Sequence, residues 1–236
     1  MERYPMSGTL SHMFDLAIDI AKLPVASLEF RLAMNPDDVR RLHAHCTKPH
    51  PKYRIFQNKS LGAALLDLRR YDSPDEYMRS IKGRNSAEHH ARKARSRGYV
   101  VTEIDRNDYV DELHAINTSL DSRQGRPMDG IYQVKETQYT REQNYKYFGV
   151  LNSVGKLTAY SNLGFYGNFA AFERLLGLRN NDGAMHLMLT EIICQLIAAR
   201  TYSYLMYDTY FGASPGLQTF KKMIGFEPYR VKYSLQ

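Results

Sequence analysis

The last third of the chain contains a strand–helix–strand pattern that restricts the fold more than any other part of the sequence. Residues 168–176 predict a strand, and residues 183–200 predict a helix because their apolar side chains recur at helical spacing along one face. Residues 203–208 predict a short buried strand, which a helix over 217–224 and an alternating strand over 226–233 follow. A crossover of this length is right-handed and joins parallel strands, so we expect a partly parallel sheet.

The rest of the chain extends this pattern. Strands are predicted at 99–105, 147–151 and 156–164, and helices at 107–119 and 130–145. The order from residue 99 onward is therefore β-α-α-β-β-β-α-β-α-β, which predicts an α/β fold with a mixed central sheet. Upstream, residues 26–33, 36–46 and 61–68 predict a strand, a helix and a strand, and these form an N-terminal α/β extension.

A basic segment precedes residue 99. Ser73 as a cap, Pro74 and the following acids predict the start of one helix that ends near Gly98. Between residues 79 and 97 there are seven Lys and Arg against one acid. Such a cluster favours a polyanion or a phosphate-bearing ligand, although a solvated helix face would give the same composition.

The composition excludes several classes of protein. With 43% hydrophobic and 24% charged residues, the chain is typical of a soluble globular protein. No apolar run approaches the roughly 20 residues that a membrane span needs. Two cysteines are too few for a disulfide framework, so we expect a cytoplasmic protein without a membrane span.

Two short motifs extend the pattern. A strand ending at Asp67 is followed by a Lys-x-Arg, an Arg-Lys-Ala and a glycine before the next strand. The motif residues are Asp67, Lys82, Arg84, Arg92, Lys93, Ala94 and Gly98, and later Tyr207, Asp208, Gly212, Gly216, Leu217, Phe220, Lys221, Lys222, Gly225 and Phe226. Together with the element order, these motifs resemble the FemAB-like branch of the GNAT acyltransferase superfamily.

The resemblance implies a division of the chain and an activity. It implies a GNAT-like acyltransferase domain at 99–236, a basic connecting helix at 73–98, and an N-terminal extension or reduced second GNAT unit at 1–72. The implied enzyme is an N-acyltransferase that moves an acyl or aminoacyl group from a CoA thioester or an aminoacyl-tRNA to an amine. The alternative is a nucleic-acid-binding module that keeps the fold without catalysis.

The resemblance also implies catalytic residues. Enzymes with this fold often place a general base on the fourth strand, where Glu173 lies. Tyr207, Asp208 and Tyr210 lie at the carboxyl end of the next strand, and a tyrosine there can protonate the leaving atom. The alternative is that Glu173 lies on the solvent side and that these tyrosines pack a core without tryptophan.

The donor loop departs from the usual GNAT pattern, Arg/Gln-x-x-Gly-x-Gly/Ala. Arg179 is followed by three residues before Gly183 and Ala184, which gives one residue more and a single glycine. This departure leaves acyl-CoA and aminoacyl-tRNA both open as donors. Backbone N–H groups of Asp182, Gly183 and Ala184 at the helix start are still suited to hold a phosphate, and Lys221 is expected beside the donor.

The remaining candidates concern the acceptor, the phosphates and a metal. Arginine side chains in the irregular loop at 120–129 suit carboxylates or phosphates. The candidates for acceptor or phosphate binding are Arg123, Gln124, Arg126, Lys82, Arg84, Arg92 and Lys93. His43, His45 and Cys46 lack a fourth ligand, so no metal is expected. The expected acceptor is a small-molecule or peptide amine, with tRNA as a partner through the basic helix. The sequence does not identify the acceptor or the oligomeric state.

Overall fold

A computed structural model of the protein describes residues 20–51, 54–123, 126–179 and 182–236. The α-helices of these residues are α1 (Pro36–Thr47), α2 (Pro74–Ser80), α3 (Ala87–Ser96), α4 (Val110–Asn117), α5 (Ala184–Ala199) and α6 (Pro215–Ile224). The strands are β1 (Val25–Phe30), β2 (Leu61–Asp67), β3 (Val100–Glu103), β4 (Ser122–Arg123), β5 (Arg126–Pro127), β6 (Tyr145–Leu151), β7 (Leu157–Phe165), β8 (Phe169–Gly177), β9 (Tyr204–Thr209) and β10 (Glu227–Leu235).

Eight strands form one mixed sheet in the order β1-β10-β2-β9-β8-β7-β6-β3. The pairs β8–β9 and β1–β10 are parallel, and the other neighbours are antiparallel. Helix α5 makes the crossover between the parallel strands β8 and β9, as the sequence predicts. The mixed α/β fold class is confirmed, and so is the order of the strands after residue 99.

The sheet separates two apolar cores. Alternate residues of a strand point to opposite faces. In β2, Ala64 and Leu66 pack with α2, α5 and α6, whereas Ala63 and Leu65 pack with α1. The first of these two sides of the sheet is called the α5 face below, and the second, which α4 also covers, is called the α1 face.

Three of the helices begin with the same local chemistry. Asn35, Ser73 and Ser214 each stand at the N-cap, and each side chain accepts a hydrogen bond from a backbone N–H of the first helical turn. A proline follows each cap and fixes a backbone angle that suits the first helical position. These signals place the starts of α1 and α2 where the sequence predicts them, whereas α6 begins at Pro215, two residues before the helix predicted over 217–224.

The N-terminal part of the chain contributes two strands, β1 and β2, to the sheet. Strand β2 lies between β9 and β10, which come from the C-terminal end of the chain. Strand β1 lies at the edge beyond β10, and the turn between β7 and β8 covers its outer side. In this turn the Asn168 side chain accepts a hydrogen bond of 2.9 Å from the backbone N–H of Glu29 and donates one of 3.0 Å to the carbonyl of Ser27. The division at residues 72 and 98 stays a prediction, but both sides of it share one sheet.

The basic segment does not form the single helix that the sequence predicts. It is divided into α2 and α3 by residues 81–86. Asn85 takes up a left-handed backbone conformation with φ at 58°, which ends helical continuation. Ser86 then caps α3 by accepting a hydrogen bond from the backbone N–H of His89.

The helix predicted over residues 130–145 is also wrong. The structure has one turn of 3₁₀ helix, Gly130–Tyr132, and then an irregular stretch up to β6. The segment lacks an apolar stripe that a helix would bury. Asn107 instead holds it in place through two hydrogen bonds with the backbone of Tyr139, at 2.8 and 3.1 Å.

Candidate active site

The two central parallel strands separate toward their carboxyl ends. Strands β8 and β9 pair only from Phe169 to Ala171 and from Tyr204 to Met206. Beyond these residues β8 stays paired with β7, and β9 stays paired with β2. A cavity of about 510 Å³ lies at this separation, and residues of α1 form part of its lining. In sheets of this kind, ligands bind at the carboxyl ends of the strands.

A β-bulge in β8 shapes one wall of the cavity. Asn162 of β7 lies opposite Arg174, and the next residue of β7 lies opposite Phe172. Glu173 is therefore an extra residue without a partner in β7, and its backbone is withdrawn from the regular ladder. The bulge places Glu173 and Arg174 on the same face: Glu173 contacts Arg41 of α1, and the Arg174 guanidinium lies 5.3 Å from the ring centre of Tyr132.

A buried polar network orients Arg41 toward Glu173. The Arg41 guanidinium forms an ion pair with Asp38 and lies 3.4 Å from a carboxylate oxygen of Glu173. Asp38 is 7% exposed and accepts a hydrogen bond of 2.8 Å from the Asn144 side chain, which in turn accepts one from Asn35. The bond to Asp38 and the charge of that carboxylate raise the pKa of Arg41 further, so the guanidinium is always charged.

The end of β9 forms the opposite wall. Asp208 lies in a second bulge, opposite β2, and has the left-handed φ of 53°. Its carboxylate forms an ion pair with the largely buried ammonium of Lys59. Lys221 supports this bulge from the α5 face, where its ammonium donates to the carbonyl oxygens of Tyr207 at 2.7 Å and Thr209 at 2.6 Å.

Two ionisable groups of α1 also line the cavity. Burial, followed by the charge of Lys59, lowers the pKa of His45, so its imidazole is neutral at pH 7. Burial raises the pKa of the Cys46 thiol to about 11. The thiol therefore remains protonated near neutral pH and is a poor nucleophile.

Tyrosines complete the lining on the α1 face. The hydroxyl groups of Tyr145 and Tyr166 are 2.5 Å apart, and Tyr132 lies beside Arg174. Burial raises the pKa values of Tyr145 and Tyr166. These phenols are therefore neutral, and they offer hydroxyl groups and aromatic surface to a ligand.

Three of the four predicted catalytic residues lie at the cavity. Glu173, Tyr207 and Asp208 line the cavity, whereas Tyr210 does not. Tyr210 packs partly buried on the α5 face, and its backbone N–H donates to Gly62 at 2.6 Å. The catalytic roles of all four residues remain predictions.

The predicted donor-binding residues lie around the start of α5. Gly183 is the N-cap with φ at 81°, and a Cβ atom there would overlap the carbonyl oxygen of His90 in α3. The carboxylate of Asp182 bonds to Arg97 at 2.7 Å and to the hydroxyl of Tyr99 at 2.5 Å. Helix α3 and this ion pair thus occupy the position beside the N-terminus of α5.

The other residues predicted to bind the acyl donor do not form one site. Arg179 is exposed, and Ala184 is buried as the first residue of α5. Lys221 is 1% exposed, and two carbonyl groups engage its ammonium, so it is not placed to contact a donor phosphate. It instead fixes the backbone that presents Asp208 to the cavity.

The basic residues form an exposed surface away from the cavity. Lys82 and Arg84 lie in the connection between α2 and α3, and Arg92 is exposed on α3 beside the half-buried Lys93. Alanines on the opposite side of α3 pack against α5, which turns the basic side chains outward. Arg95 is paired with Glu191 of α5, so part of this charge already has a partner.

The arginines of the 120–129 loop are described only by their backbone. Arg123 and Arg126 pair with one another in the two-residue strands β4 and β5, and Gln124 lies outside the described residues. The chain after this loop brings Tyr132 to the cavity wall. The predicted contacts of Arg123, Gln124 and Arg126 with an acceptor remain predictions.

Sequence reasoning missed several residues of the cavity wall. Arg41, Lys59 and Arg174 were not among the candidates, and His45 was considered only as a metal ligand. The one sequence feature that could have indicated any of these residues was the position of Arg174 directly after the candidate base Glu173. Among the described residues, no group of three or more His, Cys, Asp or Glu is placed to hold a metal ion.

Comparisons with known proteins bear on the fold. No protein-family model matches the sequence, and no curated protein matches it. The structure is similar to that of FemX, with a TM-score of 0.53 and 13% identity over 95% of this chain and 75% of FemX. It is also similar to the C-terminal domain of a putative lysylphosphatidylglycerol synthetase from Agrobacterium fabrum, with a TM-score of 0.50 and 16% identity over 72% of this chain.

This chain spans 58% of the length of the Agrobacterium chain, and identities at this level concern the fold alone. None of the helices formed by the described residues is long and apolar enough to cross a membrane. The mixed eight-stranded sheet with its α5 crossover and the similarity to FemX over 95% of the chain point to the same fold. The chain therefore has a GNAT-like fold of the FemAB-like type.

Proposed function

We propose that this protein is an N-acyltransferase that moves an aminoacyl group from an aminoacyl-tRNA to an amine. The observation that favours this donor over a CoA thioester is the packing of α3 and of the ion pair between Asp182 and Arg97 beside the N-terminus of α5. A CoA phosphate bound there would need the backbone N–H groups of the first turn. Helix α3 packs against Gly183, and the Asp182 carboxylate already supplies a negative charge at this helix end.

The space between the strands supports the same donor. On the α5 face, the rings of Phe172 of β8 and Tyr207 of β9 meet edge to face with their centres 5.7 Å apart. These rings fill the position where a thin pantetheine chain would run between the strands. An aminoacyl ester at the end of a tRNA can enter instead from the open side of the cavity, while the exposed basic residues of α3 contact phosphates.

The proposed transfer uses side chains that the bulges in β8 and β9 hold at the cavity. The amine nitrogen attacks the ester carbonyl carbon, a C–N bond forms, and Glu173 accepts the proton that the amine loses. The backbone N–H groups at the β8 bulge polarise the carbonyl oxygen. The C–O bond to the ribose then breaks, and Tyr207 donates the proton that the leaving hydroxyl group requires, because burial raises its pKa and keeps the phenol protonated.

The donor is tested by thermal shift at low and moderate salt. The ligands are acetyl-CoA, a long-chain acyl-CoA, bulk aminoacylated tRNA and the same tRNA after deacylation. A ligand at about a hundred times its Kd adds roughly 2.7 kcal/mol to the free energy of unfolding. We expect salt-sensitive stabilisation by tRNA. Stabilisation by a CoA ester that persists in salt, without any effect of tRNA, would contradict the proposal.

The transfer itself is tested with radiolabelled aminoacyl-tRNA and a pool of amines, by following label lost from tRNA into amide products. Glu173→Gln should lower the rate at least 100-fold, within the range that a general base contributes. Glu136→Gln, an exposed glutamate outside the cavity, is the matched control. Normal transfer by Glu173→Gln would remove Glu173 from the mechanism.

A further inference from the structure

The cavity wall has more positive than negative side chains. Its cations are Arg41, Lys59 and Arg174, and its carboxylates are Glu173 and Asp208. His45 adds no charge at pH 7, because burial lowers its pKa. Three cations and two carboxylates therefore line the wall, and Asp38 behind it brings the local charges to balance.

Two of the three cations already form ion pairs with carboxylates. Arg41 bridges Asp38 and Glu173, and Lys59 is paired with Asp208. A ligand anion would have to compete with a carboxylate at either position. Arg41 and Lys59 therefore hold the two acids in place and are less suited to bind a substrate anion.

Arg174 is the cation of the wall that has no carboxylate partner among the described residues. No carboxylate of the described residues lies within ion-pair distance of its guanidinium, which lies 5.3 Å from the ring centre of Tyr132. The Tyr160 hydroxyl already accepts a hydrogen bond from this guanidinium. Stacking on an aromatic ring leaves the remaining N–H groups at the edge of a guanidinium open to a planar anion. A carboxylate can take two parallel hydrogen bonds from that edge.

The bulge places Glu173 and Arg174 in the same wall of the cavity. Glu173 and Arg174 are neighbours in sequence, with Cα atoms about 3.8 Å apart, and both face the cavity. A small substrate that carries a nitrogen and an anion can therefore contact both side chains from one position in the cavity. In an α-amino acid, the amine and the carboxylate share one carbon atom.

We propose that the amine acceptor is a free α-amino acid, with its carboxylate on Arg174 and its amine toward Glu173. This inference rests on the proposed aminoacyl transfer. The product would be a dipeptide, because the new amide joins the donor's acyl carbon to the acceptor's α-nitrogen. The cavity, at about 510 Å³, has room for both aminoacyl groups.

The test measures binding without any donor. Saturation-transfer difference NMR is recorded with the twenty common L-amino acids in pools of five, and then with the same pools as carboxamides. The carboxamides keep the amine and the side chain but lack the negative charge. We expect members of the acid pools to bind, with Kd values at least about ten-fold lower than those of their amides.

Variants assign the effect to Arg174. Arg174→Gln should weaken binding of the acids about ten-fold or more and leave the amides unchanged, whereas Arg174→Lys should lie between Arg174→Gln and the wild type. Lys156→Gln removes the same charge from the exposed turn between β6 and β7 and should bind like the wild type. Thermal unfolding of each variant confirms that it is folded.

The inference is overturned if no amino acid binds, if acids and amides bind equally, or if Arg174→Gln binds the acids as tightly as the wild type. It is also overturned if aminoacyl groups pass equally fast to amines without a carboxylate, a result that would leave the proposed transfer intact. Amino acids that bind through Arg174 but receive nothing from aminoacyl-tRNA would refute the transfer and retain the binding site.

Discussion

Lys221 gives a prediction about how stability depends on pH. Its side chain is 1% exposed, and its ammonium lies between the carbonyl groups of Tyr207 and Thr209. Burial lowers its pKa from 10.5 to about 8, and the more distant charge of Asp208 opposes this shift only in part. The folded protein therefore releases this proton at a lower pH than the unfolded chain does.

The sign and size of the effect follow from this difference. Between pH 8 and 10.5 the unfolded chain binds the proton and the folded protein does not, so the free energy of unfolding rises with pH. Below pH 8 both states hold the proton, and the folded state bears the full cost of burying the charge. From pH 7 to pH 9.5, Lys221 should add about 2 kcal/mol of stability.

The assay is urea unfolding of the wild type and of Lys221→Met at half-unit steps from pH 7 to pH 9.5. Methionine keeps a flexible apolar chain and removes the titrating group. The free energy of unfolding of the wild type minus that of the variant should increase across the series, because groups common to both proteins cancel. Lys222→Met, an exposed neighbour on α6, should give a constant difference. A constant difference for Lys221→Met would refute the burial of this charge.

Three further predictions concern the fold and the site. Gly167→Ala places a Cβ against the carbonyl oxygen of Glu29 and should cost about 2–4 kcal/mol in urea unfolding. Asp38→Asn removes the charged partner that holds Arg41 and should lower the transfer rate about ten-fold, whereas Asp37→Asn, on the exposed side of α1, should not. Burial lowers the pKa of His186 to about 4, so stability should fall by about 3 kcal/mol between pH 6.5 and pH 4 as the unfolded chain takes up the proton; unfolding of His186→Leu should lack this fall.

The sequence predicted the elements of the last third because each has a strong local signal. Helix α5 has its apolar stripe, and β9 is a short apolar run between turns. The cap formed by Ser214 and Pro215 was not recognised, so the predicted helix α6 starts two residues too late. The broken basic helix was missed because its composition is helical on both sides of the break. One left-handed residue, Asn85, and one cap, Ser86, were enough to divide it.

The candidate site was less predictable because distant parts of the chain build it. Arg41 comes from α1 and Lys59 from the residues before β2, and both meet Glu173 or Asp208 only after the sheet has formed. The β8 bulge has no clear signature in residues 168–176, where a run of four apolar residues is followed by Glu173, Arg174 and two leucines. Without the bulge, Arg174 would be expected on the face opposite Glu173, so its place in the wall could not be inferred.

The insertion of β2 between β9 and β10 has a consequence for biosynthesis. Strand β2 leaves the ribosome more than a hundred residues before either of its partners, β9 and β10, has been made. Until then Leu61–Asp67, an apolar strand that is buried in the folded protein, has two open edges. We expect the nascent chain to require shielding of this segment by a chaperone, and expression in chaperone-depleted cells should shift the protein into the insoluble fraction.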